Sequence, residues 1–201
     1  MATSGPPRPE RQQPQKGNPP PTKYYFAYGS NLCLNQMKKR CPNSRYIGTA
    51  RLSNHLWHIN ERGYANVKAA EGHWVEGLVY EIDEADEASL DTYEGVSKNA
   101  YHKCLTRVLL QKAPGALYRR PVAWIVNQGG PAEVSRKTES ADKAAPRPDV
   151  PPQVAANTLT YINLALTGES HPKKEYVKRM NLGISDAVAL GIGEDYANPA
   201  P

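Results

Sequence analysis

Two short segments of the chain carry residue types that could do chemistry together: Phe26-Ala27-Tyr28-Gly29-Ser30-Asn31 and, well downstream, Tyr93-Glu94-Gly95-Val96. The first reads as a strand, Lys23 to Tyr28, running into a tight turn at Gly29-Ser30-Asn31. Successive backbone N–H groups left unpaired in such a turn form a nest for an anion or an oxyanion. Gly29 is expected there for its backbone angles or for a close approach that a Cβ would obstruct. The second segment puts a carboxylate at a helix end, before a glycine suited to the left-handed cap. A carboxylate near a helix C-terminus is electrostatically disfavoured, so Glu94 calls for a reason beyond solubility. Nest and carboxylate together make a coherent site for proton transfer on an anionic substrate.

The elements that must position these groups follow from pattern and punctuation. After the first strand and turn, a short helix is expected over Leu34 to Arg40, stopped before Pro42. Strands follow at Ser44 to Leu52, His55 to Asn60 and His73 to Ile82, the last with both faces at least partly buried. Asp83 then caps a helix with acid in its first turn (Glu84, Asp86, Glu87), ending at Tyr93-Glu94-Gly95. Further strands are read at Tyr101 to Leu110 and, after the Pro114-Gly115 turn, Pro121 to Val126. Helices are expected at Asn157 to Leu166, Lys174 to Leu182 and Ser185 to Leu190. Strands with few helices between them imply an antiparallel or mixed sheet in an α+β fold, the sheet curling into a small barrel.

Composition sets the domain plan. Of 18 prolines, seven lie in residues 1–21 and five more between Pro131 and Pro152. Residues 1–22 therefore read as a disordered, proline-rich tail and 129–153 as a mobile insertion in one domain spanning 23–201. Setting the two segments aside leaves roughly 160 residues of ordinary composition, enough for a single core. The net charge of +5 includes +3 from residues 1–23, and the insertion is neutral. Short basic groups such as Lys38-Lys39-Arg40 read as solvated helix faces, and no clustered basic face indicates nucleic acid. Cys33, Cys41 and Cys104 form no C-x-x-C unit. The five histidines show no ligand spacing, so no metal site is expected. No stretch approaches a membrane span, and the N-terminus has no apolar secretory segment, which makes the cytoplasm the expected location.

The Tyr28-Gly29-Ser30-Asn31 turn, the downstream Glu94-Gly95-Val96 and the order of elements between them resemble the gamma-glutamylcyclotransferase family. The resemblance runs from about Tyr24 to Val126 and resumes from about Asn157 to Leu190. It implies a small β-barrel with helices packed around it, and an enzyme without metal or organic cofactor. In the implied reaction the α-amine of a γ-glutamyl compound attacks its own γ-carbonyl, releasing 5-oxoproline and an amine-bearing amino acid or peptide. Ring closure supplies its own nucleophile, so the protein must move protons and fold the flexible glutamyl chain.

By this resemblance Glu94 is the catalytic acid/base, and the strand end Tyr25, Phe26, Ala27, Tyr28, Gly29 and Ser30 binds the glutamyl moiety. Asn31 extends that turn and favours the branch acting on γ-glutamyl amino acids, since the glutathione-specific branch usually has leucine there. Tyr161 closes the pocket. Tyr101 is a candidate to orient the Glu94 carboxylate, with plain core packing as its alternative. The expected partner is a small γ-glutamyl substrate, without nucleic acid or membrane; a homodimer is compatible with this reading. Two other readings stay open: a cyclotransferase for glutathione or its conjugates in secondary metabolism, and a non-catalytic anion-binding module.

Overall fold

In a computed structural model, which describes residues 22–142 and 150–193, strand β1 (Lys23–Ala27) alternates its side chains between two cores. Tyr25 and Ala27 face outward into a layer shared with the helices, while Phe26 turns into the barrel beside Val79 and Val108. That period-2 division is what a strand buried on both faces requires.

β1 pairs antiparallel with β3 (Ala65–Ile82), from Lys23↔Ile82 to Ala27↔Leu78, and parallel with β6 (Gln153–Ile162) at Tyr25↔Leu159. β6 pairs with β4 (His102–Lys112), β4 with β2 (Arg45–Ile59), and β2 returns to β3. The ring closes as a five-stranded mixed barrel, with only the β1–β6 seam parallel. β2 is one bent strand with register shifts at Tyr46/Gly48 and Ser53/His55, where two separate strands are expected from the sequence. A two-residue strand, β5 (Arg120–Pro121), adds to the β2 edge.

Helices cover one side of the barrel: α1 (Leu34–Arg40), α2 (Glu84–Tyr93), α3 (Val122–Asn127), α4 (Pro131–Asp142) and α5 (Lys174–Ala189). Leu34, Met37, Leu90, Ile125 and Ala187 from four of them meet Leu78, Tyr80 and Ile82 on the outer face of β3. No helix among the described residues is long and apolar enough to cross a membrane.

Four sequence expectations are corrected. Residues 122–127 are helical rather than a continuing strand; Pro121 pre-sets the helix entry and the Gly129-Gly130 pair, both at positive φ, ends it. Residues expected as a helix from Asn157 are the strand β6, whose Leu159 and Ile162 sit in the core while its backbone fills the gap between β1 and β4. The expected insertion is helical over 131–142, where Val134 is buried and Ser135 Oγ donates to Ala189 O at 2.8 Å. The two expected C-terminal helices are one, α5, because Gly183 stays helical where a Cβ would stand 3.0 Å from the Leu32 Cβ. Residues 1–21, 143–149 and 194–201 lie outside the described residues.

Candidate active site

β1 runs out at the barrel end into a 3-10 turn, Ser30–Leu32, closed by Leu32 N–H to Gly29 O at 2.9 Å and Cys33 N–H to Ser30 O at 3.1 Å. Gly29 has φ −121°, not the left-handed region, so its requirement is closeness and not backbone angle. An added Cβ there would stand 3.0 Å from the Tyr176 hydroxyl and 3.3 Å from the Ala65 Cβ. The Ser30 and Ala65 backbone amides face that hydroxyl and favour its ionised form, but burial outweighs them and pushes Tyr176 up to about 12. The turn is thus partly engaged by α5, where the sequence pattern implies amides turned outward.

The Asn31 side chain organises the site. Its Nδ2 donates to the Tyr25 hydroxyl at 2.8 Å and to Glu94 Oε1 at 3.0 Å. Its Oδ1 accepts from Gln36 Nε2 at 2.8 Å and from Arg40 Nη1 at 2.9 Å. Gln36 and Arg40 stand one helical turn apart on α1, so one face of that short helix reaches the same amide. Arg40 also lies 3.7 Å from Glu94 Oε1 and stacks its guanidinium 4.5 Å from the Tyr93 ring centroid.

Glu94 is the C-cap of α2, and Gly95 behind it takes the left-handed conformation at φ 67°, as the cap pattern predicts. Only 17% of the Glu94 side chain is exposed. Burial raises its pKa above the ordinary carboxylate value, and Arg40, the Asn31 hydrogen bond, Arg179 and Arg62 pull against that rise. The carboxyl group is thus held above its ordinary range by burial, within a cationic neighbourhood that opposes the rise.

These groups line a cavity of about 880 Å³ at the barrel end. Tyr25, Tyr28, Gly29, Ser30, Asn31, Glu94, Tyr101 and Tyr161 all contribute to its wall. Phe26 and Ala27 do not: Phe26 is fully buried in the barrel core, and Ala27 is a core residue in register with Leu78. Tyr28 donates its hydroxyl to Tyr161 O at 2.6 Å. Tyr161 is held on β6, donating to Asp91 Oδ1 at 2.7 Å, while Lys103 Nζ takes the other Asp91 oxygen at 3.0 Å. Tyr101 donates to Ala65 O at 2.6 Å, so its hydroxyl fixes the start of β3 and is not bonded to Glu94.

Sequence reasoning missed Gln36, Arg40, Arg62, Tyr176 and Arg179. Arg40 belongs to a basic run expected to be solvated, yet its side chain is only 15% exposed. The i, i+4 spacing of Gln36 and Arg40 is the signal that separates it from Lys38 and Lys39. Arg179 Nη1 approaches Ser30 Oγ at 3.4 Å from α5, and nothing in the local sequence announces that long-range contact. Among the described residues no group of His, Cys, Asp and Glu could hold a metal ion.

Sequence comparison supplies the class: the profile of the family described as gamma-glutamyl cyclotransferase, AIG2-like, matches residues 25–141. The chain belongs to this family. It is similar to the gamma-glutamylcyclotransferase of Bos taurus, 31% identical over 90 residues, which are 38% of this chain and 46% of that one. The Homo sapiens gamma-glutamylcyclotransferase is 30% identical over 101 residues, 44% of this chain and 52% of that one. The chain thus spans about half the length of these curated relatives. Among solved structures, a gamma-glutamyl cyclotransferase superposes with TM-score 0.61 at 18% identity, covering 88% of this chain and 85% of that one. An uncharacterized human protein superposes at TM-score 0.57 and 18% identity, over 88% and 84% of the two chains. The structural likenesses establish the barrel fold.

Proposed function

We propose that the chain is a gamma-glutamylcyclotransferase, a lyase that releases 5-oxoproline and an amine-bearing amino acid or peptide. The observation that carries this reading is a largely buried carboxyl group, Glu94, hydrogen-bonded to Asn31 at 3.0 Å on the wall of a cavity large enough for a peptide. In the proposed reaction the glutamyl α-nitrogen attacks the γ-carbonyl, a ring C–N bond forms, and the amide C–N bond breaks. Glu94 takes a proton from the attacking nitrogen and delivers it to the departing one, so a single carboxyl group serves as base and then as acid. Its raised pKa favours that double role, because a carboxylate of low pKa is a poor proton acceptor. The Gly29-Ser30-Asn31 turn and the aromatic wall of Tyr25 and Tyr161 hold the glutamyl chain in its cyclising shape.

Glu94→Gln tests this directly, since the amide keeps the shape and the Asn31 contact but cannot shuttle the proton. With γ-Glu-Ala as substrate and 5-oxoproline measured by chromatography, kcat is expected to fall at least about 100-fold. Near-normal turnover by a folded Glu94→Gln protein removes Glu94 from the chemistry. Absence of 5-oxoproline from every γ-glutamyl substrate tried with the wild type favours the anion-binding module instead.

A further inference from the structure

The cavity wall holds more positive charge than the proposed proton shuttle uses. Four cationic side chains line it (Arg40, Arg62, Lys98 and Arg179) against two carboxylates, Asp91 and Glu94. Most of these are already engaged. Arg40 is committed to Asn31 and Glu94, Arg179 to Glu175 at 2.9 Å, and Asp91 to Lys103 and Tyr161. Arg62 and Lys98 have no carboxylate partner among the described residues.

Arg62 stands in the β2–β3 turn, with only a 3.4 Å hydrogen bond from Nη1 to Ala100 O and its guanidinium 5.8 Å from the Tyr64 ring centroid. Of the three arginines acting on Glu94 it has the smallest influence. The turn that carries it is rigid: Asn60 Oδ1 accepts from Arg62 N–H at 3.0 Å, and Gly63 N–H bonds Asn60 O at 2.8 Å. Ala100 O, which Arg62 touches, is also held by Asn163 Nδ2 at 2.7 Å, so the guanidinium bridges two fixed walls of the mouth. Lys98 lies on the Val96–Lys98 turn that follows directly behind Glu94-Gly95. A guanidinium with no carboxylate partner on a preorganised rim, with a second cation on the same cavity wall, is a receptor for a carboxylate.

We propose that Arg62, assisted by Lys98, is a specificity-determining site for the leaving half of the substrate and binds a carboxylate carried by the departing amine. The inference rests on the cyclotransferase reading and gives it a direction. Preferred substrates release an amino acid or a peptide with a free carboxylate, and γ-glutamyl compounds of neutral amines are poor ones. Because this carboxylate takes no part in bond making, the interaction is the same in ground and transition states and appears in KM more than in kcat.

The experiment compares γ-Glu-Ala with γ-Glu-Ala-amide, which differ only in that carboxylate, using wild type, Arg62→Gln and Arg62→Lys. Wild type is expected to favour the acid at least about 10-fold in kcat/KM, the scale of one charge-assisted hydrogen bond. In Arg62→Gln the ratio falls toward one through a rise in KM for the acid, and Arg62→Lys restores part of it. Arg62 is exposed, so the variants are expected to fold. Equal use of both substrates by wild type, or an unchanged ratio in Arg62→Gln, overturns the assignment while leaving the cyclotransferase reading intact. Failure of wild type to cyclise either substrate overturns that reading and this one with it.

Discussion

At the scale of single residues, Asn31 and not the backbone turn holds the candidate site together. Asn31 is only 4% exposed, and its amide joins β1, α1 and α2 by four side-chain contacts. The donors Gln36 and Arg40 on one side and the Glu94 carboxylate on the other leave the amide one orientation that satisfies all of them. Replacing it has a predictable sign. The Asn31 hydrogen bond favours the ionised form of Glu94 and lowers its pKa, so Asn31→Leu moves that pKa further up. If Glu94 must be ionised to start the reaction, the acid limb of the kcat/KM profile shifts to higher pH. Turnover near neutrality then drops by about 10-fold or more, as loss of a hydrogen bond to a charged group implies. A pH–rate series on both proteins reads this, and an acid limb that does not move separates Asn31 from Glu94 chemistry.

At the scale of elements, α2 delivers Glu94 and carries its own buried acid at the other end. Asp83 caps the helix by accepting from Asp86 N–H at 2.8 Å. The Asp86 carboxyl is buried; Oδ1 accepts from Asn43 N–H at 3.3 Å, while Oδ2 has no protein partner. Burial pushes its pKa up to about 6. A carboxyl whose folded pKa is raised binds its proton more tightly folded than unfolded. Its contribution therefore favours folding at low pH and is lost as pH rises from about 4 to 6. Asp86→Asn should consequently gain stability relative to wild type between pH 4.5 and 7.5, by ~1–3 kcal/mol in denaturant titrations. A pH-independent difference between the two proteins contradicts the buried acid. Elements also divide what was legible in the sequence from what was not. Caps and glycines marked α2 and the end of β1 because those signals are local. The run Val122-Ala-Trp-Ile-Val126 is rich in β-branched residues but is a helix, because Ser44 O captures the Val122 N–H and the chain turns away from β2. Thr158 to Ile162 spaces its apolar residues ambiguously and becomes a strand because barrel closure needs one between β1 and β4.

At the scale of the whole molecule, the site is assembled from distant parts of the chain, and α5 lies beyond the residues that match the family profile. α1 is a seven-residue helix without a side-chain cap of its own at Cys33. Its first N–H, on Leu34, is satisfied by Asp186 Oδ2 of α5 at 2.8 Å. Two to three turns earlier on α5, Tyr176 and Arg179 face Gly29 and Ser30. The helix therefore clamps the turn that holds Asn31 from both ends, an arrangement that no local pattern could announce. Asp186→Ala removes the borrowed cap, at a cost of about 1 kcal/mol, the scale of a lost N-cap acceptor. For a domain of this size that corresponds to a fall in Tm of about 2–4 °C. If the clamp positions the site, kcat/KM for γ-Glu-Ala falls as well, well below the unfolding range, and Asp186→Asn, which keeps an oxygen acceptor, recovers most of it. A lowered Tm with unchanged kcat/KM would show that α5 stabilises the barrel without shaping the turn.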